Sequence, residues 1–270
     1  MRITTLVLGA TLAAGLHSSP QQQPTSRGSW PCGARVDPTY FHLAEATGGQ
    51  LLLLAPSEIS TSADLFTAFD KHAETIFRLG GTINPGVHDF RVPIDGSVES
   101  AMFSISVQCL QTADVLRPSG GSAAGEGVTD LSNFLATRVV IVSKPEPGVW
   151  TVRVSGSGLA GVIVKARSAV HIATLQFAPS GTTQFSNVPT PGVENLVRFS
   201  VRGRVGHPEA VLVDAISKEI APLPLEVAGE NGAYQSRFTP GTNGFRIMLK
   251  GTGEDGTPLQ RVYPSLFTAR

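Results

Sequence analysis

The chain has 270 residues, and its 21 basic residues balance 21 acidic ones, so the formal net charge is zero. That length allows two domains of ordinary size, and the charge balance argues against a nucleic acid or an anionic membrane as the partner. Glycine (29 residues) and proline (19) are frequent, while charged residues make up only 16%, which is typical of short strands joined by many turns.

Residues 1–19 are predicted to be a secretory signal. Arg2 precedes an almost uncharged apolar run, Ile3–Leu16, which is short for a bilayer span. The alternative is a retained membrane anchor. We therefore expect a secreted protein, extracellular or periplasmic, with no transmembrane segment once the signal is removed.

A polar linker over 20–36 is expected to precede a helix-strand-helix segment over 37–81. Asp37 followed by proline is a helix-start signature. The short apolar run Gln50–Ala55 favours a buried strand. Apolar residues spaced three and four apart over Ser60–Leu79 predict a second helix.

From Val87 onward the apolar period changes to two, which predicts a first β-sandwich of about seven strands over 82–178. Its centre is the segment Lys144-Pro-Glu-Pro-Gly-Val-Trp150, where a proline turn leads into an alternating strand. Trp150 opens that strand and is predicted to be a buried core anchor.

Residues 179–192 are polar and rich in proline and glycine, which favours an interdomain linker, and 193–270 contain about six more alternating strands. The predicted fold is therefore mainly β. It consists of two antiparallel sandwiches, Ig-like or jelly-roll-like, preceded by the short α/β segment.

Three motifs resemble those of a known family. The segment Tyr40–Gln50, with its Thr-Gly-Gly, is similar to the closing helix and strand of a von Willebrand factor A domain. The segments Pro147–Val152 (Pro-Gly-Val-Trp-Thr-Val) and Phe245–Arg261, which ends in Gln-Arg, resemble the region after that domain in hemicentin-type extracellular proteins. The resemblance covers about residues 39–270 and implies an adhesive extracellular protein.

The A domain of that family binds a divalent metal through Asp-x-Ser-x-Ser, which is absent from this sequence. The metal-dependent adhesion is therefore not carried over, and neither a metal site nor a cofactor is expected. The α/β segment would be a remnant of an A-type domain that packs on a sandwich or on a partner.

Several possible chemical sites have simpler interpretations. Gly156–Gly161 matches G-x-G-x-x-G, but a strand run follows it, so a hairpin turn is expected instead of a dinucleotide site. His42 and Glu45 share a helix face, where a surface hydrogen bond is expected. The acidic segments 230–232 and 254–256 fit hairpin turns, with calcium binding as the alternative. With no catalytic motif found, the protein is predicted not to be an enzyme.

Arg198, Arg202 and Arg204 are predicted to line one face of the second sandwich, together with Arg246 and Arg261. Such a face could contact an anionic glycan or a protein partner. The alternative is an ordinary solvated sheet face.

Cys32 and Cys109 are the only two cysteines. In an exported protein an even cysteine count favours a disulfide, which here would join the N-terminal segment to the first sandwich. The alternative is a buried free thiol at Cys109 and an incidental exposed one at Cys32.

These patterns predict a non-enzymatic protein that makes adhesive or scaffold contacts with a protein or surface partner. The alternative is a carbohydrate-binding module of the cell surface, and an enzyme with an unrecognised site is the third hypothesis.

Overall fold

The structure, a computed structural model, describes residues 7–10, 32, 36–63, 65, 73–131, 134–229 and 232–268. Most of these residues are in strands, and the three larger sheets are antiparallel, which confirms the predicted mainly β fold class. The elements in chain order are β1 Val7–Ala10, α1 Pro38–Thr47, β2 Gln50–Leu53, a 3₁₀ helix Pro56–Thr61, β3 Glu74–Ile94, β4 Val98–Leu116, β5 Val128–Leu131, β6 Thr137–Ser143, β7 Gly148–Ser168, β8 His171–Pro179, β9 Asn195–Arg202, β10 Gly206–Val213, β11 Glu219–Leu223, β12 Glu226–Val227, β13 Ala233–Phe238, β14 Arg246–Thr252 and β15 Pro258–Val262.

The first β region is a single sheet, in the order β3-β7-β4-β6-β5, folded over its own core. The rings of Phe77 and Phe90 lie 5.9 Å apart although both belong to β3. An extended strand would separate them by about 40 Å, so β3 must fold back on itself. The register shifts between Ile83 and Gly86, which is where a bulge lets the strand bend. The predicted first sandwich is thus built from two halves of one sheet.

Trp150 is fully buried at the start of β7, inside this folded sheet. Its ring centroid lies 5.5 Å from that of Phe103. Its indole N–H donates to the carbonyl of Glu146 at 2.9 Å, so the polar atom of this large side chain is satisfied. The guanidinium of Arg117 covers the ring at 5.7 Å.

The second β region is a sandwich of two four-stranded sheets, β11-β10-β14-β15 and β12-β13-β9-β8. One apolar cluster joins their inner faces, with Phe177 and Phe199 from one sheet and Ile247 and Leu249 from the other. The alternation in β9 that the sequence shows therefore separates a core face from an exposed face. The Ig-like assignment of this sandwich stays a prediction.

The boundary between the two regions differs from the sequence expectation. Strand β8 pairs along its length with β9, so it belongs to the second region and not to the first. Residues 179–192 therefore lie mainly in a loop between neighbouring strands of one sheet and are not an interdomain linker. Periodicity identified β8 as a strand but carries no information about its partner.

The N-terminal segment packs on the outer face of the folded sheet. The hydroxyl of Thr137 donates to the carbonyl of Leu53 at 2.8 Å, and the amide of Gln50 donates to the hydroxyl of Ser104. Strand β2 pairs in parallel with β1, which lies within the predicted signal. The rest of that predicted signal is outside the described residues, as is the predicted linker apart from Cys32 and Val36.

The predicted second helix is wrong over its last part, because Glu74–Leu79 belongs to β3. Residues 64 and 66–72 of that helix lie outside the described residues. The apolar residues near its end are buried on both faces of a strand, and a short continuous apolar run cannot distinguish the two structures. No helix among the described residues is long and apolar enough to span a bilayer.

Candidate functional site: a buried ionic junction beside an open cleft

The two β regions meet through a buried group of three charged side chains. Glu45 from α1 lies between Arg78 of β3 and Arg246 of β14, and it binds both guanidinium groups. The Arg78 Nη2 to Glu45 Oε1 distance is 2.7 Å. Both arginine side chains are about 1% exposed or less, and that of Glu45 is 7% exposed. We call this group the first ionic centre.

Arg78 also closes the C-terminal end of α1. Its guanidinium donates to the carbonyls of Ala44 (3.1 Å), Gly48 (3.2 Å) and Gly49 (2.7 Å). The last carbonyls of a helix lack intrahelical partners and carry partial negative charge, so a cation is favourable there. The Thr47-Gly48-Gly49 segment is thus the point at which the N-terminal helix is attached to the first β region.

Two glycines allow α1 to lie close to β3 and to the second β region. A Cβ at Gly80 would lie 2.4 Å from the carboxyl carbon of Glu45, so any side chain there would displace the carboxylate. Gly48 has φ +70°, and a Cβ there would lie 2.7 Å from the ring of Pro264 in the second region. Both positions therefore require glycine for a close contact across the junction.

Arg246 holds the second region to the same point. It donates to the carbonyl of Ala215 at 3.2 Å as well as to Glu45. Burial lowers the pKa of the Arg246 guanidinium to about 10, with Glu45 opposing this shift and the charge of Arg78 adding to it. Arg246 therefore stays charged at neutral pH, and a buried charge of this kind depends on its partner.

A second ionic centre lies farther along the junction. Arg261 of β15 and Asp95, which follows β3, are paired at 2.8 Å, and both are almost fully buried. Arg261 also donates to the carbonyl of Val170 at 2.7 Å and to the hydroxyls of Ser97 (3.1 Å) and Ser168 (2.5 Å). The guanidinium is thus surrounded by acceptors from both regions.

The acidic partner in this centre is stabilised in its charged form. Burial alone raises the pKa of Asp95, but the hydrogen bond and charge of Arg261, helped by bonds from Ser97, lower it below its ordinary value.

Two other titratable groups have shifted pKa values that the charge of Arg261 affects. Burial raises the pKa of Glu74 despite the charges of Arg261 and Lys165. Burial and two arginines lower the pKa of His171.

Backbone hydrogen bonds complete the junction between the centres. The N–H of Gly80 donates to the carbonyl of Ala215 at 2.8 Å, and the amide of Gln260 donates to the carbonyl of Ile76 at 2.8 Å. Gln260 is itself buried, so this bond satisfies a polar group that would otherwise be costly. Directional bonds of this kind fix the relative position of the two regions.

An open cleft of about 280 Å³ lies beside the second ionic centre. Three of its nine lining residues are glycines, and Arg204, Glu254 and Asp255 supply its charged groups. Arg204 and Glu254 lie 3.8 Å apart and are well exposed. The lining residues are Gly96, Ser97, Ala169, Val170, Gly203, Arg204, Gly253, Glu254 and Asp255.

The predicted basic face is only partly assembled. Arg198 and Arg202 lie on the exposed face of β9, where Arg198 stacks on Phe185 at 4.9 Å. Arg204 lies beyond the end of β9 and lines the cleft instead. The expectation for Arg246 and Arg261 is wrong, because both are buried in the ionic centres and not on a sheet face.

Glu45 also departs from its predicted role. The expected surface hydrogen bond with His42 is replaced by the buried contacts with two arginines. The sequence signal for such sites is an arginine inside an unbroken apolar strand run, as at Ile76-Phe77-Arg78-Leu79. Arg246 lies in a similar run. A charge that cannot reach solvent requires an ionic partner.

The remaining predicted sites are the acidic hairpins and the two cysteines. The Asp255 carboxylate accepts bonds from its own turn, at Thr257 N (3.1 Å) and Thr257 Oγ1 (2.6 Å). Glu230 and Asn231 lie outside the described residues. Within the described part of the chain, no three histidine, cysteine or acidic side chains are grouped so that they could hold a metal ion. Cys32 and Cys109 are adjacent as free thiols.

No protein-family model matches the chain. It is similar to mouse hemicentin-2 (24% identity over 245 residues, 86% of this chain) and mouse hemicentin-1 (23% over 243 residues, 85%). The chain spans 5% of the length of hemicentin-2 and 4% of that of hemicentin-1. The identity supports a distant relationship over both β regions. The resemblance to an A domain stays a prediction.

Among solved structures, the chain is similar to the lipase BlEst2 of Bacillus licheniformis in its propeptide form (TM-score 0.36, 12% identity, covering 76% of this chain and 44% of the lipase). A β-glucuronidase from Dictyoglomus thermophilum gives a TM-score of 0.22 at 11% identity, covering 72% of this chain and 44% of the enzyme. Likenesses this low say nothing of what this chain does.

Proposed function

We propose that this chain is a non-enzymatic extracellular β protein that makes adhesive or scaffold contacts. Its two β regions would be presented to a protein partner in one fixed relative orientation. The observation that carries the proposal is the pair of buried ionic centres, in which α1, β3, β14 and β15 are held together by directional contacts. The distant likeness to hemicentins supports the extracellular setting.

The chemistry around the cleft supports a non-enzymatic role. Its lining includes one serine, Ser97, and no histidine, cysteine or lysine. The Ser97 hydroxyl donates to Asp95 and accepts from Arg261. The Asp95 carboxylate is itself paired with Arg261, which lowers its pKa and makes it a weak base for activating a nucleophile. The charged groups of the junction are all engaged in ion pairs that position β strands.

The test is binding of the purified, fluorescently labelled full chain to decellularised extracellular matrix. Saturable binding that unlabelled chain displaces is expected. Two charge-reversal variants would show whether the predicted basic face contributes to this binding. Arg198→Glu changes that face, and Arg153→Glu, on the folded sheet, is the control. Absence of saturable binding overturns the adhesive role, and turnover of ester or glycoside substrates that Ser97→Ala abolishes overturns the non-enzymatic one.

Glycan binding is the second candidate, and the open cleft is the observation that favours it. A cleft of about 280 Å³ with carboxylates, a guanidinium and a serine hydroxyl is lined by groups that can hydrogen-bond a sugar unit. A glycan array tests it directly. Binding of one glycan class that is lost in Arg204→Ala but kept in Arg202→Ala would replace the protein-scaffold proposal.

A further inference from the structure

Two thiols that are 77 residues apart in sequence lie side by side at the bend of the folded sheet. The Sγ of Cys109 lies 3.4 Å from the backbone carbonyl oxygen of Cys32. The amide of Gln108 donates to the same carbonyl at 3.3 Å, so two neighbouring residues of β4 hold the Cys32 backbone in place. Cys32 is exposed, and Cys109 is half-buried.

The local structure of β4 explains how Cys109 reaches this position. Its pairing with β7 shifts register between Val107 and Cys109 and again between Leu110 and Thr112. Bulges of this kind redirect side chains and bend the strand. Gly156 in β7 allows a close approach, because a Cβ there would lie 2.6 Å from the carbonyl oxygen of Cys109. Strand β7 therefore passes close to the backbone of Cys109.

A disulfide requires two cysteine backbones within about 7 Å, so that the sulfur atoms can approach to about 2 Å. The Cys109 sulfur already contacts the Cys32 backbone, so the two cysteines are neighbours in the folded chain. The adjacent Cys109 thiol, with burial as the smaller effect, raises the pKa of Cys32. A thiol whose pKa is raised, as that of Cys32 is, is typical of a structural site and not of a reactive redox centre.

We propose that Cys32 and Cys109 form a disulfide that fastens the segment before α1 to the bend of the folded sheet. In this reaction both S–H bonds break, one S–S bond forms, and two protons and two electrons leave. The electrons pass to the disulfide of an oxidising thiol–disulfide donor through a mixed-disulfide intermediate, which reduces the donor to two thiols.

This disulfide would act as a clasp on the N-terminal segment. Helix α1 and strand β2 are attached to the first β region by two small apolar clusters, by the Arg78 contacts at the helix end and by hydrogen bonds of β2. A covalent link upstream of α1 would limit the freedom of this segment in the unfolded chain, and long closed loops gain most in the chain-entropy description. The first ionic centre, which includes Glu45 of α1, would be preserved as a consequence.

The experiment uses the purified full chain, first reduced and then incubated with oxidised glutathione. Non-reducing peptide mapping is expected to show a linked Cys32–Cys109 peptide whose mass is lower by two hydrogens, and no free thiols. The unfolding midpoint should rise by about 10 °C over that of the reduced chain. The single variants Cys32→Ser and Cys109→Ser should each abolish the redox-dependent rise, and Cys32→Ser, at an exposed site, is the control for disruption of the sheet.

Glutathione adducts on the separate cysteines, or two alkylatable thiols after oxidation, would overturn the disulfide. A linked peptide without a rise in the midpoint would overturn its role as a clasp. The measurement needs no partner and no matrix, so its failure leaves the proposed adhesive function standing, and failure of the matrix-binding test leaves the disulfide standing.

Discussion

The interior of the folded sheet and the junction between the two β regions are equally buried but chemically opposite. The sheet interior is apolar and aromatic, centred on Trp150 and Phe103. The junction contains three arginines and two carboxylates, each paired. Apolar packing depends mainly on volume, whereas a buried ion pair holds only when its partner is in one position. We infer that the core provides stability and that the junction selects one arrangement of the two regions.

Removing the charge of Glu45 is expected to have the largest effect. Glu45→Gln leaves Arg78 and Arg246 buried without their shared anion, and breaking a buried pair in this way costs about 3–5 kcal/mol. Chemical denaturation of the wild-type chain and the variant would measure the loss in unfolding free energy. A loss below about 1 kcal/mol, which is typical of exposed pairs, would show that the junction does not depend on this charge.

Trp150→Ala tests the apolar side of the comparison. Truncating a fully buried aromatic side chain is expected to lower the unfolding free energy by about 3–5 kcal/mol, through lost transfer energy and the cavity left behind. Trp150→Phe is the milder control, because it keeps a ring against Phe103 and loses the bond to Glu146. If the alanine variant melts at the wild-type temperature, the packing described for the folded sheet is wrong.

Gly80→Ala tests the packing of the first ionic centre without removing any charge. The new Cβ would lie 2.4 Å from the Glu45 carboxyl carbon and would push the carboxylate out of the first ionic centre. We expect a loss of about 1–3 kcal/mol, as for other overpacked sites. Gly121→Ala is the matched control, since nothing lies within 4 Å of its Cβ position. Equal stability of the two variants would contradict the close approach.

The pH dependence of stability separates the second ionic centre from the core. Because the folded-state pKa of Asp95 lies below its unfolded value, its contribution is present above about pH 4 and is lost as the pH falls through the folded-state pKa. The wild-type unfolding midpoint should therefore decrease on acidification below pH 4. In Asp95→Asn the same titration should show a shallower decrease, and an unchanged slope would assign the acid sensitivity to other carboxylates.

The exposed pair Asp89–Arg153 is expected to have the smallest effect. Its two side chains are bound by two bonds of 2.8 Å, yet both are more than 40% exposed. Solvent screens such a pair, so Asp89→Asn should leave the unfolding midpoint within experimental error. A decrease comparable to that of Glu45→Gln would mean that burial is not what distinguishes the junction.

Much of this fold could be predicted from local patterns. The start of α1 at Asp37-Pro38, the buried strand at Gln50 and the strand after the proline turn before Trp150 all follow from signals within a few residues. The pairing of β8 with β9 and the folding of β3 at Asn84–Gly86 depend on contacts between distant residues. Periodicity identifies strands but does not say which strands are neighbours or where one bends.

The ionic junction likewise depends on contacts between distant residues. Glu45, Arg78, Asp95, Arg246 and Arg261 are far apart in sequence, so no local pattern shows which of them are paired. The arginines inside apolar strand runs were the available signal, because such a position predicts a buried charge in need of a partner. Which carboxylate serves each arginine could be learned only from the tertiary structure.

The central claim is that the junction makes the two β regions one cooperative unit, and differential scanning calorimetry of the wild-type chain tests it most directly. We expect one transition whose calorimetric and van't Hoff enthalpies agree. Glu45→Gln should separate it into two transitions, while Asp89→Asn should leave it single. Two well-separated transitions in the wild-type chain would contradict the claim, because the regions would then unfold independently despite the buried ion pairs.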